Sequence, residues 1–362
     1  MAGLTRRRLM KKAAGIALGA LSIPTIWIRK APAAWARGTL IHPGVNQLRV
    51  AGVTDPRMTK ETAIRSNWGR QNELVVSEVV GENIDRLACA LAETKSPREA
   101  WRAIFVKPPQ KSWSDTRVAI KTNHIARQHT RSAVMAKVCG VLTGIGIKPS
   151  HIFIYDGVHG GGLSRETPFA GLPEGCRIMD RWGGVSTGTT VSAPWERRDG
   201  KAECLRALVD GTVDILINIA MCKGHSTTFG GFTMSMKNHF GTFDPEHGHR
   251  SGALDYLIAI NQTREILGPM DPQTGRILYP RQQLCLVDAL WASKGGPGGL
   301  PSHQPNFLAM GVFAPVVDFM VATRFRGEKM GWQPEMEATR RFLSEFGYLE
   351  KDLPGGGKII EV

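Results

Sequence analysis

The sequence predicts an α/β fold: an open, mostly parallel sheet with helices on both faces and an irregular inserted loop or lobe region. Two observations lead to this class. Four short apolar runs lack the polar alternation of a half-exposed strand, which is typical of parallel strands covered on both faces. Helical patterns separate these runs, and alternating strands and helices indicate right-handed crossover connections.

The predicted elements follow one another in a regular order. A helical block at about 74–94 comes first, and another at about 315–326 comes last. The strands between them are predicted at 117–121, 151–156, 213–221 and 284–288, and the helices at 130–142, 201–209 and 251–267. Residues 37–330 are thus expected to form one large domain, with 164–198 as an inserted lobe or lid and 331–362 as a peripheral tail.

The first 36 residues resemble a twin-arginine export signal. A hydroxyl residue, Thr5, precedes three arginines, and the apolar run at 13–28 is short for a membrane span. The small-x-small pattern at 34–36 predicts cleavage after Ala36, and an uncleaved anchor is the alternative. We therefore expect a periplasmic or otherwise extracytoplasmic protein whose partner during export is the twin-arginine translocase.

Charge and cysteine spacing exclude several classes of function. The chain carries +14, but residues 1–36 hold seven Lys/Arg and no Asp/Glu, which leaves +7 on the remainder. No basic run is interleaved with aromatic residues, so nucleic acid is not an expected partner. The six cysteines are far apart without a C-x-x-C pair, so no iron–sulfur cluster is expected.

Polar side chains follow each of the four predicted strands. In open α/β sheets, ligands bind outside the carboxyl ends of the strands, so these side chains are expected to share one site. A lysine inside an apolar strand must either extend its ammonium group to solvent or find an anionic partner, whereas an aspartate before a glycine equally fits a turn. The residues at the four ends are Lys121 and Asn123; Asp156; Lys223 and His225; and Asp288.

The stretch CKGHSTTFGGFTMSMKNHFG at 222–241 is the richest of these ends. Two glycines allow close approach of a ligand, and a helix predicted from about 231 to 240 would offer free N–H groups to an anion. A capped helix with solvated lysines is the alternative. We expect a small anionic substrate, with His225 as acid or base beside Lys223 and Lys237. The predicted binding residues are Lys121, Asn123, Gly230, Gly231, Thr233 and Asn238.

Several potential metal ligands follow this stretch. Imidazole and carboxylate groups suit a divalent metal, although no HEXXH motif is present. A solvated, histidine-rich turn is the alternative, and the identity of any cofactor stays open. The candidate ligands are His239, His247 and His249, with Asp156 and Asp288.

Three blocks of the sequence resemble the domain-of-unknown-function family 362. VAIKTNH at 118–124 resembles its early V-x-I-K-P-N block, with Thr122 in place of the proline. The stretch at 222–241 resembles its central block, and LVDALWASKGGPGG at 286–299 resembles its V-D-G-I…G-x-G-P block. A later block is partly met, because Gly311 and Asp318 fit but Phe313 stands where an aspartate is expected.

The resemblance leaves three functions open. The first is an exported enzyme that acts on a small anionic substrate, with a metal or organic cofactor as an open possibility. The second is a periplasmic protein that binds a ligand without chemistry, and the third is an accessory or maturation protein of a redox complex. The sequence names neither the substrate nor the oligomeric state.

Overall fold

The computed structural model describes residues 42–125, 127–157, 169–179, 189–193, 200–249, 252–274 and 276–362. Its strands are β1 (Ala51–Thr54), β2 (Val118–Lys121), β3 (His124–Ile125), β4 (Gln128–His129), β5 (Ile152–Tyr155), β6 (Arg177–Met179), β7 (Thr189–Ser192), β8 (Lys201–Cys204), β9 (Ile215–Met221), β10 (Lys223–Gly224), β11 (Phe232–Thr233), β12 (Gln282–Ala289), β13 (Phe307–Gly311) and β14 (Ile360–Glu361).

Eight of these strands form one mixed sheet in the order β14-β1-β13-β12-β9-β2-β5-β6. Strands β12, β9, β2, β5 and β6 run parallel, whereas β13 is antiparallel to both of its neighbours. Strands β2, β5, β9 and β12 are buried along their whole length, which explains why their sequences lack polar alternation. The predicted α/β class with a mostly parallel sheet is confirmed.

The four runs predicted as strands are these four neighbouring parallel strands, and their carboxyl ends lie side by side. Lys121 at the end of β2 is in register with Tyr155 of β5 and with Asn218 of β9. Asp288 of β12 is in register with Met221, the last residue of β9. The sheet therefore brings the four polar strand ends to one edge.

The helices cover both faces of the sheet. They are α1 (Trp68–Leu74), α2 (Ser77–Ala92), α3 (Pro97–Ile104), α4 (Ser132–Gly144), α5 (Arg206–Val209), α6 (Ser235–Asn238), α7 (Ala253–Asn261), α8 (Arg264–Leu267), α9 (Ala314–Met320) and α10 (Met336–Ser344). A π-helical segment, Val321–Lys329, continues α9. One hydrophobic cluster packs α2, α3 and α4 against the sheet, and the other packs α7, α9 and α10 against it.

Two predicted helices differ in the structure. The segment 201–209 begins as strand β8, which pairs antiparallel with β7, and only α5 is helical. Ala202 and Cys204 point inward while Lys201 and Glu203 are exposed, so the governing period is two rather than 3.6. The predicted helix 251–267 is divided into α7 and α8 near Gln262.

The segment 331–362 is an integral part of the fold and not the peripheral tail expected from the sequence. Helix α10 buries Phe342 and Leu343, and the ring of Phe346 packs edge-to-face on Phe313 at 5.5 Å. Strand β14 pairs with β1 and extends the sheet. The apolar positions of α10 are spaced for one helical face, which is the pattern of a helix that packs on a core.

Two predicted regions lie wholly or mainly outside the described residues. The export signal at 1–36 is one of them, and the lobe or lid predicted at 164–198 is described only at 169–179 and 189–193. Those parts contribute β6 at the edge of the sheet and β7 beside β8. Within the described ranges, every helix is too short or too polar to span a bilayer.

Candidate functional site

A buried ion pair lies where β2 and β5 end. The Nζ of Lys121 donates to Asp156 Oδ1 at 2.6 Å, to the carbonyl of Thr122 at 2.6 Å and to Asn238 Oδ1 at 3.1 Å. The other oxygen of Asp156 accepts from the backbone N–H of His124 at 2.5 Å. Burial lowers the pKa of Lys121, and the neighbouring carboxylate of Asp156 opposes this shift. Lys121 thus has the anionic partner that its place in an apolar strand requires.

Two asparagines connect this ion pair to Lys223. Asn238 Oδ1 accepts from Asn123 Nδ2 at 3.0 Å as well as from Lys121. Asn123 Oδ1 in turn accepts from Lys223 Nζ at 2.6 Å. Lys121, Asn123, Asp156, Lys223 and Asn238 form what we call the buried polar network, and the structure thus brings together residues predicted from three separate parts of the sequence.

Lys223 is almost fully buried at the start of a short hairpin. It lies on β10, in register with Thr233 of β11. Burial lowers the pKa of Lys223 to about 7, Asp156 opposes the shift, and the positive charges of Arg131 and Lys121 add to it. Because this pKa is close to neutral pH, a negative charge brought nearby would increase the protonated fraction of Lys223.

Arg131 is a fully buried cation beside this network that sequence reasoning missed. Its backbone N–H donates to Asp288 Oδ2 at 2.9 Å, and its Nη1 donates to the carbonyl of His129 at 2.9 Å. Its guanidinium lies 5.0 Å from the ring centroid of Trp291 and 3.6 Å from Asp288 Oδ2. Within the described residues, its Nε and Nη2 groups have no hydrogen-bond partner.

The position of Arg131 in the sequence, at the start of a predicted helix that follows a predicted strand, is the feature that could have identified it as a site residue. An arginine at the start of a helical pattern is usually solvated, so the local pattern does not single out Arg131. However, it directly precedes α4, the helix that follows β2, and such a helix begins at the carboxyl edge of the sheet. Burial lowers the pKa of Arg131, and the carboxylate of Asp288 opposes this shift.

A second group of basic residues surrounds two phenylalanine rings. The Nζ of Lys237 lies 4.0 Å from the ring centroid of Phe240 and 4.7 Å from that of Phe229. The ring of His225 packs on Phe229, and that of His249 packs on Phe240. We call these five residues the aromatic-basic cluster. It is more accessible than the buried polar network, because His225 and Lys237 are only partly buried and His249 is exposed.

The aromatic-basic cluster contains groups that can accept a proton at neutral pH. Burial lowers the pKa of Lys237 to about 7. Burial, followed by the charges of Lys237 and His249, lowers the pKa of His225 to about 4. The buried Nδ1 of His225 has no hydrogen-bond partner among the described residues. His225 is therefore a neutral imidazole at pH 7 and is in the proton-accepting form, but its lowered pKa makes it a weaker base than Lys237.

The helix predicted from 231 to 240 begins later in the structure, because its first residues belong to a hairpin. Gly230 and Gly231 form its turn with φ angles of +81° and +85°, which explains the glycine pair. Strand β11 then pairs with β10, so only the four residues of α6 are α-helical, and a 3₁₀ turn follows at His239–Gly241. The pairing partner of β11 decided this structure, and it is not visible in the local pattern.

A carboxylate of the protein already occupies the start of α6. Asp318 accepts from the backbone N–H of Ser235 at 2.7 Å and from that of Met236 at 2.8 Å. Burial raises the pKa of Asp318 to about 7, and the two N–H groups oppose the shift. The N–H groups at the start of the observed helix are therefore already bonded within the protein, whereas the predicted helix began at about 231.

The predicted metal ligands have other partners. His239 is fully buried, with Nε2 at 2.7 Å from Gln282 Oε1 and Nδ1 at 3.0 Å from Thr242 Oγ1, and burial lowers its pKa to about 3. Asp156 and Asp288 bind Lys121 and Arg131, and His249 Nδ1 contacts the carbonyl of Pro245.

The side chain of His247 lies outside the description. In the part of the chain that the structure describes, no three His, Cys, Asp or Glu residues are grouped as metal ligands. The described residues therefore give no support to the predicted metal site.

A cavity of about 350 Å³ lies beside the hairpin that carries Lys223. Ser293, Leu300, Ser302 and glycines of the loop 295–299 line it. A Cβ added to Gly224 would lie 2.0 Å from the carbonyl oxygens of Lys294 and Gly295, so the hairpin packs directly on this loop. The loop follows β12 at the same edge of the sheet as the buried polar network, and no residue of that network is among the described residues that line the cavity.

Comparison with known proteins identifies the family. A family model described as "Domain of unknown function (DUF362)" matches residues 118–323, which is more than half of the chain and extends from β2 into the π-helical segment. A search of curated proteins found no match. The chain belongs to domain-of-unknown-function family 362, and the matched region contains both groups of site residues.

Proposed function

We propose that this member of family 362 is an enzyme that binds a small anionic molecule at the carboxyl edge of the parallel strands. The observation that carries the proposal is Arg131. Its guanidinium is fully buried, and two of its donor groups have no partner among the described residues. A buried, unpartnered donor of a charged group is costly, and a ligand that accepts these hydrogen bonds removes this cost.

The charges around Arg131 favour an anion as that ligand. Asp156 lies 2.6 Å from Lys121, and Asp288 lies 3.6 Å from Arg131, so each of these cations has one carboxylate. Lys223 is a third buried cation, and it donates a hydrogen bond to Asn123 Oδ1. Among the described residues of this site, positive side chains thus outnumber carboxylates.

The shape of the donor groups and of the cavity favours a small oxyanion. A guanidinium presents parallel N–H groups that match carboxylate, phosphate or sulfate oxygens, and the ammonium of Lys223 can add a third donor. The cavity of about 350 Å³ at the same edge of the sheet is of a size for a small molecule.

The aromatic-basic cluster supports the catalytic half of the proposal. His225 lies in the loop of the hairpin that begins with Lys223, and its unprotonated ring can take a proton from a bound substrate. Lys237 is a second proton acceptor, since its pKa is near 7. The twin-arginine pattern at 1–36 supports an extracytoplasmic location for this activity.

The anion site is tested with sulfate as the probe, because sulfate keeps the same charge between pH 6 and 8.5. We expect sulfate to raise the Tm of the protein at constant ionic strength set with NaCl, and to do so more at pH 6 than at pH 8.5. Protonation of Lys223, whose pKa is about 7, strengthens the attraction at the lower pH.

Lys223→Met is expected to abolish the effect of sulfate, whereas Lys237→Met is the matched control and retains it. Arg131→Lys serves as a second variant that keeps the charge but loses the forked donors. An unchanged response in Lys223→Met and Arg131→Lys would contradict the site.

Catalysis is tested separately with His225→Gln. In a screen of small carboxylates and organic phosphates, we expect turnover by the wild type and its loss in this variant, with the sulfate response retained. A sulfate response without turnover of any compound would favour the alternative of a binding protein without chemistry.

A further inference from the structure

The segment that leads into β6 lies along one face of α4. The backbone N–H of Ala170 donates to Ser132 Oγ at 3.2 Å. Further along, a Cβ added to Gly171 would lie 3.4 Å from the Cβ of Ala136. Ser132 and Ala136 are four residues apart and therefore share one face of the helix. The next position on this face is three residues further along, at Cys139.

Cys139 meets a second thiol there. Cys139 and Cys176 pack in the same hydrophobic cluster, where each thiol is close enough to shift the pKa of the other. Cys139 is buried, and Cys176 is half-buried, so one member of the pair is accessible to a reagent in solution. The neighbouring Cys176 thiol, followed by burial, raises the pKa of Cys139, whereas the Cys139 thiol lowers the pKa of Cys176. Cys176 is therefore the thiol that ionises first and reacts first.

We propose that Cys139 and Cys176 are a redox pair that forms a reversible disulfide bond between α4 and the start of β6. The oxidant is a small-molecule or protein disulfide. The thiolate of Cys176 attacks one sulfur of that disulfide, forms a mixed disulfide and releases one thiolate. Cys139 then loses its proton, attacks the sulfur of Cys176 and releases the second thiolate, which is protonated by water. Two cysteine thiols are oxidised, and one external disulfide is reduced to two thiols.

The bond would fix the part of the sheet next to the buried polar network. Strand β6 pairs with β5, and Asp156 directly follows β5. A disulfide that joins α4 to the start of β6 closes a long loop, which stabilises the folded protein mainly by restricting the unfolded chain. An extracytoplasmic, oxidising compartment is where such a bond would persist.

The experiment exposes the full-length protein to oxidised glutathione, blocks remaining thiols and maps cysteine-containing peptides without reduction. We expect a linked peptide pair containing Cys139 and Cys176, a loss of two titratable thiols, and a rise in Tm of about 5 °C that dithiothreitol reverses. Cys89→Ser is the matched control, because it removes a half-buried thiol elsewhere and should leave the bond intact.

Cys176→Ser should leave Cys139 reduced, and Cys176→Ala replaces it if the serine variant does not fold. Recovery of both wild-type cysteines as free thiols would overturn the proposal. Recovery of Cys176 as a lasting glutathione adduct with Cys139 reduced would also overturn it, because the second exchange step would then have failed.

Discussion

Replacing Lys121 by methionine should reveal how strongly the buried ion pair depends on its cation. Methionine keeps most of the apolar stem but removes the three hydrogen bonds to Asp156, Thr122 and Asn238. The carboxylate of Asp156 would stay buried, with the N–H of His124 as its described hydrogen-bond donor. Breaking one side of a buried ion pair costs about 3–5 kcal/mol, so we expect the free energy of unfolding to fall by this amount.

Equilibrium urea unfolding at pH 7, followed by circular dichroism, measures this change. The double variant Lys121→Met/Asp156→Asn should recover about 1–3 kcal/mol relative to Lys121→Met, because the buried charge is then removed. Lys237→Met is the control, since its ammonium contacts two rings rather than a carboxylate. A loss below about 1 kcal/mol in Lys121→Met, or purely additive effects in the double variant, would refute the reasoning.

Three further predictions concern the elements around the site. Gly224→Ala should lower the free energy of unfolding by about 2–3 kcal/mol, because its Cβ would lie 2.0 Å from the carbonyl oxygen of Gly295. Gly231→Ala, at φ +85° in open space, should lower it by about 1 kcal/mol. Equal losses for the two variants in urea unfolding would contradict the close contact at Gly224. Between pH 7 and pH 9, the free energy of unfolding of the wild type should rise by about 1–2 kcal/mol more than that of Lys237→Met. The reason is that Lys237, with its pKa lowered to about 7, loses its proton in the folded state over this range but keeps it in the unfolded state. Parallel pH curves for the two proteins would disprove this contribution. Asp318→Asn should destabilise the protein by about 1–3 kcal/mol, because the amide NH₂ replaces one of the two oxygens that accept from the N–H groups of Ser235 and Met236. An unchanged urea midpoint would argue against a role of Asp318 in capping α6.

The parallel core of the fold could be predicted because its signals are local. The apolar runs of β2, β5, β9 and β12 need burial on both faces, and a parallel sheet covered by helices provides it. The mistakes occurred where pairing with another strand decided the structure. Strand β8 follows a period of two because it pairs with β7, and β11 is extended because it pairs with β10. Both partners are close in sequence, but the residues of β8 and β11 do not by themselves show that they pair.

The sequence by itself determined which strand ends carry polar side chains and that these ends meet at one edge. It thereby brought Lys121, Asn123, Asp156 and Lys223 into one candidate site, because the carboxyl ends of parallel strands lie side by side. Only the tertiary structure decided which of these groups are already bound to each other. The reason is that hydrogen bonds and burial depend on neighbours from distant parts of the chain. In the structure, the ammonium of Lys121 donates three hydrogen bonds within the protein. The Nε and Nη2 groups of the buried Arg131, in contrast, have no partner among the described residues.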